Sequence, residues 1–242
     1  MIIQRHQSFL GALVFGLLSA LLIAGCGEGS PKVSGDEVDQ GIIHYKVTYP
    51  YLDTNDIGLK LLPQQMTMTF NKDLYRVESE GGMGLFLGGF VSHGEKQTMD
   101  YFMKIIGQKM VSRFTQKSMK QFHHEFPAYR LEFIDSTKTI AGLPCRGAKV
   151  IFFDNIISDY IIWYTDKIQI INPNWCSPFP KIEGVMLEYI IQRDGLVIHF
   201  EANEVIPSKI DPSVFTIPLD YKVVSNKKLI YKMEEAFMGF DY

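Results

Sequence analysis

From Gly41 onward almost every segment alternates apolar and polar residues with a period of two, the signature of strands buried on one face. Ile43, Tyr45, Val47 and Tyr49 share one parity, with His44, Lys46 and Thr48 on the other. Met66, Met68 and Phe70 repeat the pattern against Thr67 and Thr69. Asn71-Lys72-Asp73 then supplies turn residues before Leu74 to Ser79, which makes a hairpin. Further strands are predicted at Met99 to Ile106, Lys109 to Phe114, Tyr129 to Ile134, Ala148 to Phe153 and Tyr160 to Thr165. Val185 to Arg193 faces Leu196 to Glu204 across Asp194-Gly195, a dipeptide suited to the positive φ angles of a tight turn.

Helical patterns are few. Asn226 is placed to cap a carboxy-terminal amphipathic helix with Leu229, Met233 and Phe237 at four-residue spacing. Ser118 to Glu125, with Met119 and Phe122 on one side, is a second, ending before Pro127. About ten antiparallel strands with one or two short helices predict a mainly β domain, a large curved antiparallel sheet forming an unclosed half barrel over an apolar interior.

Glycine breaks the alternation once. Gly81 to Phe90 sets five glycines among large apolar residues, which allows either a glycine-kinked strand at the edge of the core or a flexible apolar lip beside a cavity. Methionine is the second bias. Seven of the eleven methionines fall between Met66 and Met119, and methionine fills irregular or adaptable apolar surfaces. Plain core filling is one explanation and a cavity for an apolar ligand is the other. For the cavity, Met66, Met68, Met83, Leu85, Phe86 and Phe90 are the candidate lining residues.

The amino terminus carries an address. Arg5 and His6 precede an apolar run from Phe9 to Ala24, and Ile23-Ala24-Gly25-Cys26 has the form of a lipobox. Residues 1–25 therefore read as a lipoprotein signal peptide, with Cys26 the lipidated first residue of the mature chain. Residues 26–40, rich in Gly, Ser and acids, read as a flexible tether, and residues 41–242 as a single β-rich domain. Gly27 stands where an aspartate would retain a lipoprotein at the inner membrane, so the expected location is the cell envelope, lipid-anchored at the outer membrane.

Charge narrows the partners. The chain carries a formal net charge of −3, and loss of Arg5 with the leader makes it one unit more acidic. No basic patch of the kind that phosphate backbones require stands out, which argues against nucleic acid. Cys145 and Cys176 are the thiols left after lipidation. An oxidising compartment makes them a disulfide candidate, and two separately buried thiols are the alternative.

Local motifs for chemistry are missing. There is no nucleophile elbow, no phosphate loop and no zinc spacing, and the acids Glu78, Glu80, Asp100 and Glu188 form no local pattern. His123-His124-Glu125 reads as a solvated polar patch rather than a metal site, since adjacent side chains diverge on either a strand or a helix. No cofactor or metal is expected.

Several stretches together resemble a family. Ser136 to Ala148, with Gly142-Leu143-Pro144-Cys145-Arg146-Gly147, is followed by Ile161-Ile162-Trp163-Tyr164-Thr165 and Asp166-Lys167-Ile168. Then come Ile182 to Tyr189 and Ile210-Asp211-Pro212-Ser213-Val214-Phe215-Thr216-Ile217-Pro218 with Tyr221-Lys222. This order is similar to the GLPGLI-type and related uncharacterised secreted proteins and lipoproteins of the Bacteroidetes. Ile182-Glu183-Gly184-Val185 stands where those proteins carry Leu-Pro-Gly-Leu. A more distant likeness is to the lipoprotein carriers LolA and LolB, an unclosed antiparallel barrel with helices over its mouth. The resemblance implies a concave apolar binding surface and not an enzyme, and the first expectation is that this surface binds a lipid, an acylated peptide or another apolar small molecule. The competing expectation is a module with a filled interior that docks on another envelope protein.

Overall fold

The alternation becomes twelve strands in one hydrogen-bonded sheet. They are β1 (Gly41–Thr48), β2 (Gln65–Phe70), β3 (Leu74–Gly81), β4 (Phe86–His93), β5 (Thr98–Ile105), β6 (Gln108–Thr115), β7 (Tyr129–Ile140), β8 (Leu143–Phe152), β9 (Tyr160–Thr165), β10 (Val185–Arg193), β11 (Leu196–Pro207) and β12 (Lys222–Val223). Two helices, α1 (Gln116–Phe122) and α2 (Asn226–Phe237), complete the fold. The structure, a computed structural model, describes residues 37–53, 55, 58–123, 126–153, 158–193 and 195–237. The leader, Cys26, His124 and Glu125 lie outside the described residues.

The strand order is β12-β6-β5-β4-β3-β2-β1-β11-β10-β9-β8-β7. One meander runs outward from β1 to β6. A second starts at the far edge with β7 and works inward until β11 pairs with β1. All neighbours are antiparallel except β12, which lies parallel to β6. β7 and β12 are the two edges and do not meet, so the curved sheet stays unclosed, the architecture that the alternation predicts.

Turn chemistry fixes the register. Asn71 Oδ1 accepts from the amides of Asp73 (3.1 Å) and Leu74 (2.7 Å), closing the β2–β3 hairpin by an Asx turn. Two hairpins that the sequence does not flag, β5–β6 and β7–β8, turn on Ile106-Gly107 (φ 44° and 80°) and Ala141-Gly142 (φ 48° and 82°). Both have the paired left-handed residues that match the right-handed twist of the strands.

Each face of the sheet is covered by a different part of the chain. On the outer face, Phe215 packs on Val91 and Phe102, and Tyr221 meets Phe102 edge-on with centroids 5.7 Å apart. Arg76 lies over the same Phe102 ring at 4.6 Å and donates to the Val214 carbonyl at 3.1 Å, fastening this strap to β3. The chain then passes the β6 edge, and α2 turns Leu229 and Met233 into the inner core. Its cap is Ser225, whose hydroxyl accepts from the Lys228 amide at 3.3 Å. Asn226, expected in that role, instead donates to the Arg113 carbonyl at 3.1 Å.

The packed body starts earlier than the expected boundary at Gly41. Val38 is buried, its amide donates to the Lys167 carbonyl at 2.7 Å, and its carbonyl accepts from the Gln169 amide at 2.9 Å. The last residues of the expected 26–40 tether are therefore held by the domain. Residue composition hides this, because one apolar side chain and two backbone bonds suffice to fasten the segment.

Candidate ligand cavity

The strand register places same-face side chains in rows. Ile43, Met68, Val77, Phe90 and Tyr101 are successive cross-strand partners from β1 to β5. Phe70, Tyr75, Ser92, Met99 and Phe114 form the next row. Beyond β1, Val47 is opposite Phe200, and Phe200 is opposite Tyr189. The rings of Phe200 and Tyr189 stack at 4.8 Å and 14°. Because the sheet curves, side chains from both meanders face one cavity of about 1000 Å³.

Four of the six expected lining residues are there: Met66, Met68, Phe86 and Phe90. Met83 and Leu85 are not. Gly82–Gly84 forms a tight 3-10 turn in which Met83 takes a left-handed conformation (φ 53°), and its side chain is 92% exposed, with Leu85 55% exposed. The glycine-rich segment is thus a turn followed by strand β4, so only its Phe86 and Phe90 reach the interior. Tyr45, Tyr189, Ile198 and Phe200 line the cavity without having been singled out from the sequence, although the parity of their strands assigns them to the same face.

Three elements cover the sheet's inner face. Helices α1 and α2 lean over one side, contributing Phe122 and Ile230 to the cavity wall. The third is the connection 166–184 between β9 and β10, which fills part of the interior with Ile168, Trp175, Cys176, Phe179 and Ile182, all buried. Polar bonds lock it in place. Asn174 donates to the carbonyls of Ile182 (2.7 Å) and Gly184 (2.8 Å), Trp175 Nε1 donates to Ser92 Oγ (2.8 Å), and Tyr129 donates to the Pro178 carbonyl (2.5 Å).

Of the two alternatives for Cys145 and Cys176, a bridge or two separate thiols, the structure has the second: both residues are free, buried thiols. Cys145 sits on β8 and turns its thiol toward the Leu143 carbonyl of its own strand at 3.6 Å. Cys176 sits in the 166–184 connection, with its Sγ 3.0 Å from the Tyr75 hydroxyl. Burial pushes each thiol up to about 11, so both are protonated and unreactive at neutral pH.

His123 is also corrected, from the solvated patch to a partly buried residue at the cavity rim. Its Nε2 lies 2.9 Å from the Cys176 carbonyl and therefore carries the proton and donates. Burial lowers its pKa from the usual 6.5, and the neighbouring Arg193 lowers it further, against the opposing effect of that hydrogen bond. The Arg193 guanidinium lies 3.8 Å over the Phe122 ring. Gln192, Lys227 and Glu234 join these groups on the lining, so the cavity has an apolar body and a polar rim.

Two of the hydroxyls inside are already engaged. Tyr45 donates to the Met186 carbonyl at 2.9 Å and Tyr49 to the Pro63 carbonyl at 2.8 Å, and burial raises both phenols above their usual range. They stay neutral and pack as rings. Among the described residues no three His, Cys, Asp or Glu side chains converge to hold a metal. The arrangement suits recognition of apolar surface, with orientation set by the rim.

Comparison of the sequence with protein-family profiles and with curated proteins gives no match. Among solved structures, PNGF-II superposes with a TM-score of 0.48 at 13% identity, over 81% of this chain and 32% of that one. MucB superposes with a TM-score of 0.34 at 9% identity, over 78% of this chain and 61% of that one. The MucA/MucB complex of Pseudomonas aeruginosa gives 0.34 at 9% identity, over 76% and 58%. The chain spans about a third of the PNGF-II chain and about three fifths of MucB. Among the described residues no helix is long and apolar enough to cross a membrane.

Proposed function

We propose that this chain is a noncatalytic, lipid-anchored protein of the bacterial cell envelope that holds an acyl-bearing ligand, a lipid or acylated peptide, in the cavity beneath α1 and α2. The observation that carries the reading is the cavity of about 1000 Å³ walled by Met66, Met68, Phe90 and the Tyr189–Phe200 stack. Its size falls in the range of small-molecule sites. A space left inside a curved sheet that also contains a long buried connection is not a packing remnant of a few waters. The address rests on the lipobox at Cys26, and an acyl mass on that residue in the envelope-extracted protein is its direct readout.

Burial of about ten methylenes at about 0.8 kcal/mol each roughly matches the 8 kcal/mol or so of micromolar affinity. A fluorescent fatty-acyl probe should therefore bind at micromolar concentration. Phe90→Asp, which puts a charge against Tyr75 and Tyr101, should weaken that binding about tenfold or more while the circular dichroism of the sheet is kept. Failure of the folded protein to bind any acyl probe would overturn the reading. The second reading, docking on another envelope protein, is favoured by one observation: β7 ends the sheet with a free edge of twelve residues and an exposed Phe133.

A further inference from the structure

One end of the sheet collects apolar side chains that the core does not use. Of thirteen large apolar residues left exposed among the described residues, six sit here: Tyr51, Leu61, Met83, Leu85, Ile106 and Leu219. The pairing of the strands brings them together. Gly81 of β3 is opposite Phe86 of β4, and Phe86 is opposite Ile105 of β5, so the turns holding Met83 and Ile106 are neighbours. The Ile106 amide donates to the Leu85 carbonyl at 3.0 Å, joining the two tips directly. Leu61 lies beside them, since its carbonyl approaches Gly81. Leu219 adjoins through Asp220, which pairs with Lys109 at the start of β6.

The tips are presented, not tucked away. Met83 (φ 53°) and Ile106 (φ 44°) are both held in left-handed backbone, an uncommon place for large apolar residues and especially for a β-branched one. Met83 is 92% exposed, Ile106 78%, and Leu219 fully. Exposed apolar side chains gathered at one place, rather than scattered singly, mark an interaction site.

Charge decides the partner. Lys109, Lys222, Lys228 and Lys232 converge around Gln108 and Met110 next to the Ile106 tip, with Lys104 opposite Lys109 on the neighbouring strand. Lys109 pairs with Asp220, and Lys232 with Glu235 at 2.5 Å. Glu80, beside Gly84, and Asp53, two residues after Tyr51, are further acids at this end, Asp53 accepting from the Asn55 amide. Lys104, Lys222 and Lys228 make no ion pair among the described residues. The chain as a whole is acidic, so this local excess of lysine stands against the average. Apolar tips flanked by lysines on the β6 side fit a lipid interface, where side chains enter the headgroup boundary and ammonium groups meet anionic headgroups.

We infer that this end of the sheet is a membrane-contact surface that sits on an anionic bilayer, with Met83, Leu85, Ile106 and Leu219 dipping into it. The surface adjoins the cavity, because Phe86, one residue after Leu85, is part of the cavity wall. Contact therefore brings the cavity's lip to the bilayer from which an acyl ligand would come. The inference goes beyond the cavity reading and is tested separately from it.

The test uses residues 26–242 with Cys26→Ser, which retain every described element and carry no acyl chain. Sedimentation with vesicles of phosphatidylglycerol and phosphatidylethanolamine should retain the protein, and phosphatidylcholine vesicles should retain it about tenfold less. Met83→Asp with Ile106→Asp should reduce binding about tenfold or more. Aspartate tolerates left-handed backbone, and both sites are exposed, so the fold should survive. Lys222→Glu with Lys228→Glu, or molar salt that shrinks the screening length, should lower it as well. Equal binding by the Met83/Ile106 variant, equal binding to phosphatidylcholine, or no binding to anionic vesicles would overturn the inference. The variant's affinity for the soluble acyl probe should be unchanged, so loss of probe binding and loss of vesicle binding report on different proposals.

Discussion

The Tyr75 hydroxyl, on β3, lies 3.0 Å from Cys176 Sγ and donates to the Pro173 carbonyl at 2.7 Å, tying the 166–184 connection to the floor of the sheet. One ring thus supplies both a wall of the cavity and the clasp that keeps its filled half in place. Tyr75 is buried, and burial pushes its phenol well above the usual range, so the hydroxyl keeps its proton to donate.

A chemical prediction follows from this pair. Because both thiols are buried, free and pushed up to about 11, Cys145 and Cys176 should resist alkylation in the native protein. On unfolding without reductant, both should label, and mass spectrometry should count two adducts. Finding them linked in unreduced peptides would show that the clasp is a bridge instead. Tyr75→Phe should cost about 1 kcal/mol, the typical loss of one internal hydrogen bond, and should raise the native labelling rate of Cys176 more than that of Cys145.

The strands were legible because a sheet with one buried face writes its period directly into the sequence. The ten expected strands rest on that signal, while the late hairpin was read from its turn dipeptide, of which Asp194 lies outside the described residues. Strand β4 was obscured for a physical reason: Gly88 and Gly89 carry no side chain with which to alternate. The 166–184 connection was illegible, since what fixes it is bonds such as Tyr75 to Pro173 and His123 to Cys176, between residues 98 and 53 positions apart. Counting cysteines left pairing and separate burial both open, because pairing depends on where loops cross the sheet. Of the cavity, the methionine and phenylalanine bias pointed to Met66, Met68, Phe86 and Phe90. Met83 and Leu85 were misplaced because a left-handed turn residue reverses which way its neighbours point.

The two adjacent glycines of β4 should behave oppositely. A Cβ on Gly89 would stand 2.3 Å from the Val77 carbonyl oxygen and 2.8 Å from the Phe102 ring, so backbone must move. Gly89→Ala should destabilise by about 1–3 kcal/mol, the usual cost of overpacking. On Gly88 the nearest atom is the far end of the Phe86 ring at 2.9 Å, which can swing within the cavity. Gly88→Ala should cost less than about 1 kcal/mol. Urea melts of the two variants separate the outcomes, and equal destabilisation would mean that the glycines serve flexibility rather than close approach.

His123 gives the fold a pH dependence whose sign is set by burial. Its pKa is lowered in the folded protein from the ordinary 6.5, so below 6.5 the unfolded chain binds a proton that the folded one does not. Stability should therefore fall as pH drops below about 6.5, through the window down to the lowered folded value, and level off once both states are protonated. Protonation also sets a second positive charge beside Arg193, which holds its guanidinium over the neighbouring Phe122 ring. Urea midpoints measured between pH 7.5 and pH 5 should decline in the wild type. His123→Gln keeps an N–H for the Cys176 carbonyl and has no titration, so its decline should be smaller over the same window. Identical slopes in the two proteins would assign the acid sensitivity to other groups and leave His123 a purely structural donor.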